Sequence, residues 1–175
     1  PARIVDVKLR SSGDIQSLVT DADEEIEADF FIDCSGFAGT LIQKFLKVPF
    51  VSYGENLFND SAVVLPTEQE PTIGSQTVST ARAAGWIWDI GLTSRRGIGY
   101  AFSSAHTTDA EAEAVLRRYI AATGTPDPDS IEPRRIAFRS GHRERFWHRN
   151  CVAVGLSAGF LEPLEASALV LIELS

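Results

Sequence analysis

Hydrophobic and polar positions alternate near the start of the chain, on either side of a short polar segment. The hydrophobic side chains of residues 4–9 and 15–19 follow a period near two, and Ser11-Ser12-Gly13-Asp14 lies between them. Such alternation around a Gly/Asp turn is typical of a β-hairpin. The chain therefore begins, in this interpretation, with two antiparallel strands.

A continuous apolar run comes next. Within Ala28–Asp33, Phe30-Phe31-Ile32 is continuous and apolar and precedes the turn residues Cys34-Ser35-Gly36, which favours a strand that is buried on both faces. Thr40–Lys47 then carries leucine, isoleucine and phenylalanine at helical spacing, which predicts a short helix that ends near Pro49.

The middle of the chain is dominated by strand patterns. Extended segments are predicted at Ala62–Leu65, Thr77–Thr80, Gly85–Leu92 and Ile98–Ser103, the last two forming a hairpin. Thr108-Asp109-Ala110-Glu111 has the spacing of a capping box and predicts the start of a helix. A strand at Ile136–Phe138, a buried strand at Cys151–Leu156 and a helix from about Pro163 complete the pattern. This order indicates a mixed α/β (α+β) protein in which a mainly antiparallel sheet is inserted into another domain.

Charge and composition exclude several functions. The 175 residues include 24 acidic and 16 basic side chains, a net charge of −8, which disfavours nucleic-acid binding. The locally basic segment 134–149 is interpreted as a packed connector with carboxylate partners. No apolar stretch is long enough for a membrane span. Cys34 and Cys151 lie in apolar runs and are expected to be buried, reduced thiols in a cytoplasmic protein.

The strongest local signal is the segment 150–167, NCVAVGLSAGFLEPLEAS. A buried strand leads into small residues and then into a helix with proline at its first turn, where the missing N–H costs nothing. The free N–H groups of such a helix start can hold an anion, and small residues admit a flat ligand or a phosphate. The pattern alone also fits a plain tight turn at Gly155 and Gly159.

Four segments together resemble the flavin-dependent tryptophan halogenase family. GLSAGFLEPLEAS is similar to that family's GLSSGFLEPLEST-type segment, and AGWIWDIGL to its WxWxIP motif. ADFFIDCSGFAGTLI resembles the strand and turn that close the FAD-binding domain, and FRSGHRERFWHRNCVAVG the link to the last FAD-contacting strand. All four occur in the family's order and cover nearly the whole chain.

The resemblance implies an architecture and a reaction. Residues 1–48 would close a glutathione-reductase-like FAD-binding domain, 49–147 would form the substrate domain, and 148–175 would return to the flavin. Reduced FAD, O2 and chloride or bromide would give hypohalous acid, which passes through a tunnel to a lysine and halogenates tryptophan, indole or a similar arene. A separate flavin reductase would supply the reduced FAD.

The resemblance also assigns roles to residues by motif position. Glu165 would be catalytic, activating the halogenating species, and the backbone N–H groups of Ser167 and Ala168 would bind halide. Trp86 and Trp88, which share one strand face, would keep substrate away from the flavin. Contacts with FAD would come from Gly36, Leu156, Gly159 and Leu169.

Some features depart from the family pattern. Gly91 stands in place of the motif's proline, so a flexible turn is expected where the family has a rigid one, and Ala166 stands in place of a serine. The FAD fingerprint and the active-site lysine of the family lie upstream of Pro1, and Lys8, Lys44 and Lys47 are expected to be surface residues. The chain is therefore expected to be an inactive internal fragment. Two alternatives stay open for the parent protein, namely a related flavin-dependent hydroxylase and a halogenase-like module without activity.

Overall fold

The chain builds two compact units, one of which is inserted into the other. In a computed structural model, which describes residues 2–68 and 72–162, the first unit comprises Pro1–Ser52 and Ser140–Ser175. The second unit is the continuous segment Tyr53–Arg139. The assignment of these segments to an FAD-binding and a substrate domain stays a prediction.

The elements follow one another in simple order. The first unit begins with β1 (Ile4–Leu9), β2 (Ile15–Thr20), β3 (Glu25–Glu27), β4 (Phe31–Asp33) and β5 (Phe50–Ser52). The second unit contains β6 (Ser61–Val64), β7 (Val78–Arg82), β8 (Gly85–Gly91), β9 (Arg96–Phe102), α1 (Asp109–Ala122) and β10 (Arg134–Ala137). The chain then returns to the first unit with β11 (Gly141–Arg143), β12 (Trp147–His148), β13 (Cys151–Ala153) and β14 (Gly159–Phe160).

The first unit holds three small sheets. The predicted hairpin is confirmed, since β1 pairs antiparallel with β2, and β3 extends the sheet. A second sheet has the order β14-β11-β5, and a third has the order β12-β13-β4, in which β13 and β4 run parallel. Asn150 ties the hairpin to the third sheet, because its side-chain oxygen accepts from the Ile15 N–H at 2.8 Å and its backbone oxygen from Phe31.

Strand β4 is shorter and less buried than the sequence predicts. Phe31 and Asp33 are buried, but Ile32 between them is 60% exposed. The prediction of burial on both faces was therefore wrong for the described residues. The reason is that only one face of β4 packs into the core formed with Ile15, Leu41 and Cys151.

A helix is present within the predicted segment Thr40–Lys47, but it is a π-helix, which is wider than an α-helix. Thr40–Phe45 is a π-helical segment, and the Leu46 N–H donates to the Leu41 carbonyl, five residues back. The segment ends where Lys47 takes a positive φ of 56°. Its buried side chains, Leu41 and Ile42, fill the hydrophobic interior of the first unit.

The second unit is a five-stranded antiparallel sheet of order β10-β6-β9-β8-β7 with α1 across one face. The predicted strands and the β8–β9 hairpin are confirmed. The capping box is confirmed as well, because Thr108 and Glu111 bond to each other's backbone N–H. The core between sheet and helix comprises Val63, Leu65, Ile87, Ile98, Tyr100, Phe102, Ala112, Leu116 and Ile120.

The mixed α/β class with mainly antiparallel sheets is confirmed. The expected burial of both cysteines is not, since Cys151 is buried but Cys34 is exposed. Cys34 follows the end of β4, where the chain leaves the sheet, and so its side chain lies outside the core. Within residues 2–68 and 72–162, no helix is both long and apolar enough to cross a membrane.

Candidate functional site

The carboxyl ends of the two parallel strands meet at one edge of the first unit. In β4 and β13, Phe31 pairs with Cys151 and Asp33 with Ala153, so both strands end at the same level. Each then enters a short 3₁₀ turn, Gly36–Ala38 after β4 and Gly155–Ser157 after β13, and the two turns pack against each other. The carboxyl edge of parallel strands is where α/β proteins bind their ligands.

Asp33 organises this edge from within. Its buried carboxylate accepts hydrogen bonds from the N–H groups of Leu41 and Ile42 at 2.9 and 2.8 Å. The other carboxylate oxygen accepts from the Ser35 N–H and hydroxyl at 3.0 and 2.6 Å. The Asp33 carbonyl accepts from Val154 N–H and from the Ser157 hydroxyl. One residue therefore joins both turns and the start of the π-helical segment.

Gly36, a predicted FAD contact, lies at the open side of this edge. Its φ of 67° lies in the left-handed region that glycine tolerates, and no heavy atom stands within 4 Å of where a Cβ would be. Leu156, another predicted contact, is 42% exposed, and Phe37 beside Gly36 is also exposed. Glycine turns beside exposed apolar side chains fit the face of a flat ring such as a flavin.

Gly159, the third predicted contact in the described residues, has a packing explanation of its own. It pairs with His142 in the β14–β11 ladder. A Cβ at this position would stand 2.7 Å from the Gly141 carbonyl oxygen and 2.9 Å from the His142 Cα. Glycine is therefore required there by the close approach of the two strands, whatever role it has toward a cofactor.

Arg143 holds the second turn, a role that sequence reasoning missed. Its side chain is only 4% exposed, and its Nε donates to the Ser157 carbonyl at 3.1 Å. Its backbone N–H donates to the Ala158 carbonyl at 2.7 Å, and its Nη2 donates to the Gln43 amide oxygen. The sequence showed Arg143 only as one member of a basic run with expected carboxylate partners.

Trp86 and Trp88 lie in the second unit, on β8. The prediction that they share a face is confirmed, with ring centroids 6.0 Å apart at 58°. They face away from α1, because the intervening Ile87 belongs to the core beneath the helix. Trp88 pairs with Gly99 on β9, and a Cβ there would stand 2.1 Å from the indole ring. The absent side chain of Gly99 therefore makes the space that Trp88 fills.

A buried ionic network lies on the opposite face of the same hairpin. Arg96 donates to both carboxylate oxygens of Asp89 at 2.7 and 2.5 Å, and the Tyr119 hydroxyl from α1 donates to Asp89 at 2.9 Å. Burial opposes ionisation of Asp89, but the bonds from Arg96 and Tyr119 and the Arg96 charge outweigh it, so its pKa is lowered. Burial and the bond to Asp89 raise the pKa of Tyr119.

Gly91, which replaces the proline of the family motif, lies next to this network in the β8–β9 hairpin. Gly91 is the last residue of β8 and pairs with Arg96 across the hairpin, so it lies in a strand and not in a flexible turn. The interpretation of Gly91 as a flexible turn was therefore wrong, because strand pairing restrains its backbone. Asp89 and Arg96 are close through this pairing. The sequence predicted the hairpin but began its second strand at Ile98, so it gave no signal that Arg96 meets Asp89.

Several predicted residues lie outside the described part of the chain. Glu165, Ser167, Ala168 and Leu169, together with Ala166, belong to residues 163–175, and their roles stay predictions. Lys8, Lys44 and Lys47 are all exposed, as expected, and Lys8 forms an ion pair with Glu25. Burial raises the pKa of the Cys151 thiol to about 12, with the charge of Asp33 adding to the effect, so this thiol stays protonated.

Comparison with known proteins relates the chain to one family. Residues 1–175 match the family described as tryptophan halogenase. The chain is 43% identical over 172 residues to a 7-chloro-L-tryptophan 6-halogenase of Kutzneria sp. (strain 744), covering 97% of this chain and 33% of that protein. It is 36% identical over 170 residues to a tryptophan 7-halogenase of Lentzea aerocolonigenes, covering 95% of this chain and 31% of that protein.

A solved structure agrees in the fold as well. A flavin-dependent halogenase from Brevundimonas sp. BAL3 superimposes with a TM-score of 0.90 at 45% identity, covering 99% of this chain and 35% of that one. The chain thus spans about a third of the length of the relatives that it matches.

Proposed function

The chain belongs to the tryptophan halogenase family, and from this we propose that the protein containing it is a flavin-dependent halogenase. Its substrates would be tryptophan, an indole or another electron-rich arene, with chloride or bromide as the halide. The balanced reaction converts arene, halide, O2, reduced FAD and one proton into haloarene, oxidised FAD and two waters. A separate flavin reductase and a cytoplasmic location belong to the same proposal.

The observation that carries this proposal is the edge formed by β4 and β13. Both parallel strands end there in glycine turns, with open space at Gly36 and an exposed Leu156 beside it. Bound reduced FAD supplies the two electrons for O2 activation. The protein would position the flat ring of the flavin at this edge. The backbone turns that Asp33 holds in place and the side chain of Leu156 would make the contacts.

The segment that follows these turns is proposed to carry the reacting groups. N–H groups of Ser167 and Ala168 would hold the halide, because a helix start presents unpaired donors and a favourable dipole. Glu165 would face the substrate cavity and stabilise the positive charge that develops on the arene. Leu169 and Gly159 would add contacts with FAD.

Trp86 and Trp88 are proposed to exclude the arene from the flavin, so that halogenation is favoured over hydroxylation. Two adjacent indoles on a regular strand form a rigid, apolar surface. Gly99 fixes the place of the Trp88 ring by leaving it room against β9.

The decisive experiment supplies the full-length protein with FAD, a flavin reductase, NADH, O2 and bromide, and offers tryptophan and indole in turn. A monobrominated product, identified by mass spectrometry and absent without bromide, supports the proposal. A hydroxylated product would assign the protein to flavin-dependent hydroxylases. Failure to retain FAD in equilibrium dialysis would identify a module without this activity, and either result would overturn the proposal.

A further inference from the structure

A buried arginine lies at the point where three elements of the first unit meet. Arg143 is the last residue of β11, the central strand of the β14-β11-β5 sheet. Its guanidinium carbon lies 5.1 Å from the centre of the Phe50 ring on β5, and its Nη2 donates to Gln43 in the π-helical segment. Its Nε donates to the Ser157 carbonyl in the turn after β13. One side chain thus reaches a strand, a helical segment and a turn.

Arg143 donates two hydrogen bonds to the turn, one from its backbone and one from its side chain. The Arg143 backbone N–H donates to the Ala158 carbonyl at 2.7 Å, while its side chain donates to the preceding carbonyl of Ser157 at 3.1 Å. Hydrogen bonds from a charged donor are stronger than neutral ones, and burial protects them from competing water. Arginine suits this position because separate nitrogens of its planar guanidinium donate to Ser157 and Gln43 in fixed directions, a geometry that the single nitrogen of a lysine does not reproduce.

The turn held in this way lies at the proposed flavin edge. Leu156 is in the same turn, Gly159 directly follows Ala158, and Glu165 is seven positions after Ala158 in the sequence. A displacement of the Ser157 backbone would therefore move Leu156, the proposed flavin contact.

We propose that Arg143 is a positioning residue, which fixes the Gly155–Ala158 turn against the π-helical segment and so sets the position of the proposed flavin contact in that turn. The inference rests on the proposed function, because the turn contacts a flavin only if that function is correct. Arg143 itself need not touch FAD, halide or substrate.

The experiment compares Arg143→Gln with Arg145→Gln in the full-length protein. Arg145 is two residues further along the chain and exposed, so its substitution removes the same charge without touching the turn. Amide hydrogen exchange across 155–162 should become faster in Arg143→Gln, while exchange in β1–β3 stays unchanged. The FAD dissociation constant should rise by up to about tenfold, because a turn that loses one charged hydrogen bond spends a smaller fraction of the time in the arrangement that binds FAD.

The yield of haloarene per mole of reduced FAD supplied is the readout that a purely structural role would not move. It should fall several-fold in Arg143→Gln and recover only in part in Arg143→Lys, which keeps the charge but not the fork. If Arg143→Gln fails to fold, Gln43→Ala removes the other anchor of the same guanidinium and should give the same changes in smaller degree.

The outcomes separate the two proposals. Unchanged exchange in 155–162, or exchange that rises equally throughout the unit, would overturn the positioning role, as would a yield and FAD affinity within twofold of those of Arg145→Gln. A wild-type protein that neither binds FAD nor halogenates would instead overturn the proposed function, while the exchange measurement would still test the anchor.

Discussion

Gly99 on β9 pairs with Trp88 on β8, and the Trp88 ring occupies the space that a Cβ on residue 99 would need. A Cβ on Gly99 would stand 2.1 Å from the Trp88 ring, whereas a Cβ on Gly97 would have its nearest neighbours at 3.8 Å. Both glycines lie on β9 and face the same side of the sheet, since they are two positions apart. The two positions thus form a matched pair, one crowded and one open.

Gly99→Ala in the full-length protein is expected to displace the Trp88 indole. Forcing a methyl group into a filled space should lower the free energy of unfolding by about 1–3 kcal/mol. It should also change the near-ultraviolet circular dichroism of the Trp86–Trp88 pair. Gly97→Ala is the control and should leave this spectrum unaltered. Equal effects of the two substitutions would show that Trp88 does not occupy the space above Gly99.

Asp89 shows how burial and pairing act on one carboxyl group. Its pKa is lower in the folded chain than in the unfolded one, where an aspartate titrates near pH 3.9. The ionised form therefore stabilises the fold above about pH 4, and the contribution is lost as pH falls through the lower folded pKa.

Asp89→Asn is expected to cost about 3 kcal/mol of unfolding free energy at pH 7, because Arg96 would keep its buried charge without a counterion. The difference from wild type should shrink as the pH falls below about 4. Denaturant unfolding at several pH values measures this. Glu132→Gln, which replaces an exposed acid in the same unit, is the control and should change the unfolding free energy little. An Asp89→Asn cost that does not change with pH would contradict the argument.

At the scale of elements, α1 is the one long helix of the described residues, and its start is defined by sequence chemistry. The Thr108 hydroxyl accepts from the Glu111 N–H at 3.3 Å, and the Glu111 carboxylate accepts from the Thr108 N–H at 3.0 Å. The bond from the Thr108 backbone, followed by those from the Thr108 and Thr107 hydroxyls, lowers the pKa of Glu111. Ala112, Leu116 and Ile120 of this helix pack against the sheet.

Thr108→Ala should lower the unfolding free energy by about 1 kcal/mol, the usual cost of losing an N-cap side chain. Thr108→Ser keeps the hydroxyl and should behave nearly as wild type does. Thermal unfolding of the two full-length variants, side by side, tests this. A loss of the same size in Thr108→Ser would locate the effect in the methyl group instead of the cap.

The other elements differ in how far their sequence specifies them. The hairpins β1–β2 and β8–β9 were predicted because alternation and turn residues are local signals. The π-helical form of Thr40–Phe45 was not predicted, because the spacing of its apolar residues is equally compatible with an α-helix, and the Asp33 carboxylate that accepts from Leu41 and Ile42 N–H lies outside the segment. The exposure of Ile32 was missed because an apolar run does not report which of its faces finds a partner.

At the scale of the whole molecule, the chain spans about a third of its relatives, and its first unit supplies only one edge of the proposed flavin site. The isolated 175 residues are therefore expected to bind FAD weakly or not at all, since the one helix start that the sequence predicts after this edge would contribute about 1 kcal/mol toward an anion. Titration of the isolated chain and of the full-length protein, followed by flavin fluorescence, measures the difference. Stoichiometric, tight binding by the isolated chain would contradict this expectation.

The sequence by itself determined the class of fold, the order of most strands, the start of α1 and the family, since all of these depend on residues close together along the chain. Only the tertiary structure decided that Asp33 joins two turns, that Arg143 holds Ser157, that Gly99 makes room for Trp88, and that Asp89 meets Arg96 and Tyr119. Each of those contacts joins residues that are brought together by strand pairing or helix packing. Local periodicity carries no record of which distant partner a buried polar group will find.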